Sequence, residues 1–321
     1  MPDQTNKTVS PLMVVIAFAI VYLVWGSTYF FIRMAIQHFP PFLMAALRFT
    51  TAGLILSGWC LLRGERLFVL KQIKPAIVGG LLLLFSGNGT VAWAEQYLSS
   101  SLAAVLLASV PIWFVVLDKR NRKENFANRE TVIGLLIGFF GVILLFGENA
   151  VHSISYAGNK WQLISMGILV IGSISWAAGS LYAKYKSTGD SGSVNASWQM
   201  LAAGAAFTPL SWASGEWKNF HWHDIPSSSW LALLYLITMG SLVGYSAYIW
   251  LLKVRRPTQV STHAYVNPVV AVLLGVFLGS EKVSMIQIFG LAIILTSVLL
   301  LNLAKYRKER QASLHSPAKA N

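Results

Sequence analysis

A chain of 321 residues in which 55% of side chains are hydrophobic and only 12% charged cannot cover a globular core with polar surface, since soluble domains carry about 25% charged residues. In lipid the same composition is at home, because apolar side chains then face an apolar solvent. The net charge of +13 does not mark nucleic-acid binding: Lys and Arg sit in short loops between apolar runs, with no separate basic domain for phosphate contacts.

Residues 1–11 form a short polar tail, and the apolar stretch that follows from Leu12 to Ile32 is longer than the ~7–15-residue core of a cleaved signal. It reads as the first membrane helix. A bilayer-spanning helix needs about 20 mostly apolar residues. Ten such runs follow one another, at approximately 12–33, 41–62, 75–94, 102–118, 130–147, 162–183, 194–214, 228–252, 258–279 and 285–304. Pro40-Pro41 separates the first two, and Pro75 opens the third. The charged stretch from Asp118 to Glu124 parts the fourth and fifth. Thr188–Ser193 parts the sixth and seventh, and Arg255-Arg256-Pro257 the eighth and ninth. The expected fold is therefore an all-α integral membrane protein with ten transmembrane helices.

Placing the N-terminus in the cytoplasm puts 20 of the 25 Lys and Arg in cytoplasmic segments, against 3 (Lys160, Lys218, Lys282) on the other side. Adding or removing one span would swap the sides downstream and erase this asymmetry. Both termini are thus expected to be cytoplasmic.

The ten spans divide into two fives. Trp25, Arg33 and Gly53 recur as Trp176, Lys184 and Gly204, each 151 residues later. Gly87, Trp93 and Pro111 recur as Gly244, Trp250 and Pro268, 157 later, and Gly134 as Gly290, 156 later. An odd number of spans per repeat sends the two halves through the membrane in opposite directions. Such inverted repeats are frequent in secondary transporters, where the halves exchange conformations around a central site. The expected divisions are a tail at 1–11, repeats at 12–147 and 162–304, an extracytoplasmic connector at 148–161, and a tail at 305–321.

Several stretches resemble EamA-type permeases of the drug/metabolite transporter superfamily. They are Tyr22 through Arg33, Pro40-Pro41, Ala45 through Gly53, Trp93-Ala94-Glu95-Gln96-Tyr97, Ser99 through Pro111, Asn267-Pro268, and Gly279-Ser280-Glu281. The resemblance spans nearly the whole chain. It implies two inverted five-helix repeats with both termini inside, a cavity lined by helices 1–4 and 6–9, and movement of metabolites or foreign compounds, commonly the export of amino acids and related small molecules. Short loops and the lack of an organellar transit sequence point to a cell's inner membrane. One departure is visible. Where the family often ends helix 4 with Gly-x-Glu, as Gly279-Ser280-Glu281 ends helix 9, this chain has Leu117-Asp118-Lys119.

Arg48 lies about seven residues into helix 2. A charge at that depth should face protein or a wet cavity. It could grip a substrate carboxylate through a bidentate pair, or be a structural arginine bonding helix-end carbonyls or snorkelling outward. Trp25 and Trp176 are too deep for an interfacial belt; they either wall a cavity or pack in the core. Tyr29, Trp93, Tyr182 and Tyr245 are further aromatic candidates for the cavity, and Asn88 shares a face of helix 3 with Glu95. His263 and Asn267, one turn apart, read either as cavity groups or as interhelical hydrogen bonds. Proton coupling would need a titrating group in the pathway, and Glu95 or His263 qualifies. Pro111 and Pro268 are matched mid-helix prolines and hinge candidates. Gly134/Gly138, Gly240/Gly244 and Gly275/Gly279 read as close-packing pairs with no substrate role.

A lone Cys60 cannot form an intramolecular disulfide, and no zinc spacing exists. No cofactor or metal is expected. Without paired intramembrane acids the chain is not read as an enzyme. The expected partners are a small-molecule substrate and the lipid bilayer. A xenobiotic exporter, an uptake carrier for a nucleoside-like or sugar-like solute, and more remotely a passive channel or sensor, remain as alternatives. Oligomeric state does not follow from the sequence.

Overall fold

The computed structural model describes residues 10–94, 96–98, 100–156, 160–186, 191–218, 220–279 and 284–315; within these, side chains are described except at 100–102, 148–150, 152–156, 275–279 and 302–315. Among the described residues the regular structure is entirely helical. The principal helices are α1 (Pro11–Ile36), α2 (Pro41–Leu62), α3 (Leu70–Ala94), α4 in two pieces (Ser100–Leu107 and Val110–Leu117), and α5 (Arg129–Tyr156). The second half has α6 (Lys160–Lys186), α7 (Gly192–Ala213), α8 (Ser227–Val254), α9 (His263–Gly279) and α10 (Met285–His315). Helices α1, α2, α3, α6, α8 and the Arg129–Gly147 part of α5 are long and apolar enough to cross a membrane. Ala103–Leu117 of α4 and Met285–Leu301 of α10 are shorter apolar segments. Helix α7 is less apolar because its first half carries Asn195, Ser197 and Gln199, and all three are buried inside the bundle. Outward-facing side chains are apolar instead: Leu12, Val15, Leu23, Leu54 and Leu62 are all exposed. Such contiguous apolar surface belongs against lipid.

Local chemistry sets the ends. Pro40 and Pro41 open α2, where a missing N–H costs nothing. Gly64 and Gly215 close α2 and α7 at φ 71° and 75°. A side chain would be strained in that left-handed conformation. Beyond each glycine the chain folds back: Glu65 N–H donates to Cys60 O at 2.9 Å, and Glu216 N–H to Ser211 O at 3.1 Å. Both are the six-to-one closure of a Schellman motif. Three expected boundaries differ. Pro75 lies inside α3, which begins at Leu70. Helix α4 breaks at Ala108-Ser109, so Pro111 sits in the first turn of its second piece rather than kinking one continuous helix. Helix α9 begins at His263, after a separate short helix Pro257–Val260.

Packing repeats with the helix order. Helix α2 lies along α7, and α5 along α10. Helix α1 packs on α8 and α9 as α6 packs on α3 and α4, and α2 meets α8 as α7 meets α3. Helices α3 and α8 also each contain a π-helical stretch, Leu81–Asn88 and Leu236–Tyr245. Such stretches concentrate at functional sites. One end of the bundle, the basic face, gathers the ends of α4, α6 and α8, where Glu124 pairs with Arg256 at 2.6 Å. At the other, the aromatic face, Phe39, Phe220, Trp222 and Trp230 contact one another around the starts of α2 and α8.

Glu216 ties that second face together. Its carboxylate accepts from Phe42 N–H at 3.1 Å and Leu43 N–H at 2.7 Å, the orphan donors at the start of α2. Half-burial nonetheless raises this carboxyl above its ordinary value. A raised pKa means the folded state holds the proton to higher pH than the unfolded state. Its contribution is therefore full below the ordinary Glu value, about 4.3, and is lost as pH rises through the raised value. Thermal unfolding in detergent should show that fall across the acidic range, and Glu216→Gln should flatten it. A wild-type-minus-variant difference that is flat in pH would refute this assignment.

Candidate functional site

A cavity of about 130 Å³ lies between the two halves. Its walls come from α1 (Trp25, Thr28, Tyr29, Ile32), α2 (Arg48, Phe49), α3 (Leu84, Gly87, Asn88, Val91), α4 (Leu107, Val110), α6 (Gly172, Ser173, Trp176), α8 (Gly240, Ser241, Tyr245) and α9 (His263, Ala264, Asn267). The α1 and α3 residues run from mid-helix toward the aromatic face.

Four rings close the cavity on the side of the basic face. Trp25 contacts Trp176, Tyr248 and His263 at centroid distances of 5.6, 4.9 and 5.2 Å. Trp176 meets Tyr248 at 5.5 Å and His263 at 6.1 Å, and Tyr248 meets His263 at 5.3 Å. Hydrogen bonds fix the rings. The Trp25 indole N–H donates to Gly240 O, a carbonyl of the α8 π stretch, at 3.1 Å. The Trp176 indole N–H donates to Tyr248 Oη at 3.0 Å, which shares a 2.6 Å bond with Ser180 Oγ. His263 Nδ1 lies 2.9 Å from Val260 O, so it is the protonated nitrogen and Nε2 is left as an acceptor in the neutral ring.

Arg48 is the cation of this site. It is only 7% exposed. Its Nε donates to Ser241 Oγ at 2.8 Å, and its Cζ lies 5.0 Å from the Phe49 ring centroid. No carboxylate pairs with it among the described residues. Two further cavity groups are unsatisfied: Asn267 Oδ1 and Ser173 Oγ are buried without a hydrogen-bond partner. Orphaned buried polar atoms are uncommon and call for an explanation. A guanidinium lacking an anion beside a neutral acceptor and a hydroxyl can hold a small solute with a carboxylate and hydrogen-bonding groups.

Eight of the ten cavity residues singled out in the sequence line this space: Trp25, Tyr29, Arg48, Asn88, Trp176, Tyr245, His263 and Asn267. Trp93 instead packs against Tyr97 and Trp161, and Tyr182 lies outside the lining. Pro111 and Pro268 do not line it either, although their preceding neighbours Val110 and Asn267 do. Glu95 and Glu281 fall outside the described residues, and the side-chain surroundings of Gly275 and Gly279 do too. Gly134 and Gly138 pack against α10 as expected. Gly240 does more than pack, since it lines the cavity and holds Trp25. Ser173, Ser241 and Tyr248 were missed in the sequence. The 151-residue offset places Ser173 opposite Tyr22, a mismatched pair that gave no signal.

The model of the EamA-like transporter family matches twice, at residues 12–147 and 163–303. The chain is 40% identical over 291 residues to an uncharacterized inner membrane transporter of Escherichia coli (strain K12), YedA, covering 89% of each chain. It is 26% identical to the uncharacterized transporter YvbV of Bacillus subtilis (strain 168), over 99% of both. A WAT1-related chloroplastic protein of Arabidopsis thaliana is 25% identical over 88% of this chain and 67% of its own length. A crystal structure at 20% identity superposes with a TM-score of 0.73, over 91% of this chain and 98% of its own.

Proposed function

The chain belongs to the EamA-like transporter family, and from that premise we propose that it carries small carboxylate-bearing metabolites, amino acids foremost, across an inner membrane by alternating access. The observation that carries the substrate class is Arg48: a buried guanidinium on the cavity wall, with no acid opposite it among the described residues. A buried cation is tolerable when its partner arrives with the ligand. The cavity volume, about 130 Å³, is close to the ~150 Å³ engineered cavity that takes benzene. A solute of that size is an amino acid or a small metabolite, so bulky xenobiotics are disfavoured in this conformation.

Alternating access is supported by the exchange symmetry of the packing, by the paired π stretches, and by two matches to one family model. In this reading all ten helices span, in two inverted repeats, with the basic face and both termini in the cytoplasm. The family weights the direction toward export. In this reading any proton coupling runs through His263, whose imidazole lines the cavity.

The test is counterflow in proteoliposomes. Vesicles loaded with unlabelled amino acid should accumulate labelled amino acid transiently and saturably. Small neutral amino acids should compete, while an aminoalkane lacking the carboxylate should not. Flux that neither saturates nor shows counterflow would mark a channel, and competition by the aminoalkane would remove the carboxylate requirement.

A further inference from the structure

We propose that Lys184 and Arg33 are alternating latches, Lys184 holding the basic face shut in this conformation and Arg33 holding the aromatic face shut in the opposite one. The proposal rests on the carrier reading above and gives that carrier its closing contacts.

Lys184, in the last turn of α6, donates to two carbonyls at the end of α8: to Leu252 O, and to Arg255 O at 2.8 Å. A cation bonding the orphan carbonyls of a helix C-terminus satisfies groups that nothing else in the helix can. Here it also ties two helices together at one mouth of the bundle. Neighbouring contacts close the same mouth. Tyr185 Oη donates to the Asp118 carboxylate at 2.9 and 3.0 Å, joining α6 to the end of α4. Tyr22 Oη shares a 2.6 Å bond with Thr262 Oγ1, joining α1 to the segment before α9.

Arg33 stands 151 residues before Lys184, in the last turn of α1. It is exposed and has no hydrogen bond or ion pair among the described residues. Of the two acceptor positions, Arg255 matches Leu98, 157 residues earlier and beyond the end of α3, while Leu252 matches Glu95, which lies outside the described residues. Helix α6 is tied to the Ser246–Val254 part of α8 by the Lys184 bonds and by those of Trp176 and Ser180 to Tyr248. The cavity wall rises on α1 and α3 to Ile32 and Val91. With the four rings closing the basic side, the cavity leads toward the aromatic face, where Arg33 follows Ile32 on α1. If the repeats exchange conformations, α1 takes the place that α6 holds now. The Arg33 guanidinium then reaches the carbonyls that end α3, and Lys184 lets go of α8.

Single-cysteine reporters in a Cys60→Ser background test this with an impermeant thiol reagent. Val91→Cys reports opening at the aromatic face, and Ser261→Cys, fully buried now, reports opening at the basic face. K184Q should raise S261C labelling several-fold and lower V91C labelling. Adding R33Q should bring both back toward wild type, and K184R should behave as wild type. Should K184Q fail to purify, R33Q alone decides: it removes a side chain idle in this conformer, yet should slow counterflow several-fold at saturating solute. The latch assignment is overturned if K184Q and R33Q move both reporters in the same direction, or if neither moves them while counterflow stays at the wild-type rate. Wild-type protein showing neither counterflow nor substrate-dependent labelling would instead overturn the carrier reading itself.

Discussion

Arg48→Gln is expected to weaken substrate binding by roughly 10–150-fold while leaving thermal stability level or higher. The size follows from the ~1.5–3 kcal/mol net contribution of hydrogen bonds to charged groups, lost when the guanidinium no longer faces a carboxylate. The stability expectation runs opposite to that for an ordinary core arginine. Arg48 has no acid among the described residues to leave stranded, and its Nε bond to Ser241 Oγ is its one hydrogen bond there. Removing an unpartnered buried charge relieves desolvation, and a Gln amide can still donate to Ser241. Arg48→Lys should fall between, since an ammonium keeps the charge but loses the planar fork that meets both carboxylate oxygens. Half-saturation in counterflow and the unfolding temperature of the purified protein read these two effects separately. Unchanged half-saturation with a marked loss of stability would assign Arg48 a structural role and withdraw the carboxylate.

Much of the site was legible because two signals acted together. The depth of Arg48 in an apolar run demanded a wet or protein-lined environment, and the structure puts it on the cavity wall. The recurrence of Trp25 as Trp176 picked out two rings that do meet, at 5.6 Å. Trp93 failed for an identifiable reason. It also recurs, as Trp250, but six residues beyond Gly87 it has climbed toward the aromatic face and packs on Tyr97 and Trp161. A repeat identifies equivalent positions without giving their depth. Ser173 and Ser241 were illegible because serines are common in such helices and neither has a serine counterpart in the other half. The break of α4 at Ser109 was equally hidden. Pro111 suggested a kink at its own position, whereas Ser109 Oγ bonds back to Leu106 O at 2.6 Å and the chain restarts at Val110. Gly64-Glu65 and Gly215-Glu216 carried a repeat signal at the same 151-residue offset. Both pairs sit in loops, where no apolar helix frames the recurrence.

Gly244→Ala should be as damaging as losing a ring of the cavity wall. A Cβ there would stand 2.7 Å from Trp25 Nε1 and 2.9 Å from Cδ1, closer than real methyl contacts allow. Trp25 has little room to retreat. Its N–H is held by Gly240 O, and Trp176, Tyr248 and His263 surround the ring. Overpacking of this kind costs ~1–3 kcal/mol, and the ring's way out is into the cavity. The variant should therefore unfold at lower temperature and lose its larger solutes first. Phe at position 25 removes the clashing Nε1 and shortens the ring, so the double variant Gly244→Ala/Trp25→Phe should recover part of the stability lost by the glycine change. That non-additivity is the signature of direct contact. Additive losses would place the fault in the α8 π stretch and not beneath the indole. The other half seats its own ring on a glycine by the opposite edge: a Cβ on Gly87 would stand 2.8 Å from Trp176 Cε3. Gly87→Ala should then also lower the unfolding temperature, by crowding Trp176. Two rings seated on the backbone of opposite π stretches are what a carrier needs if each half must take the other's place, because each tryptophan then finds a bare glycine beneath it in either arrangement.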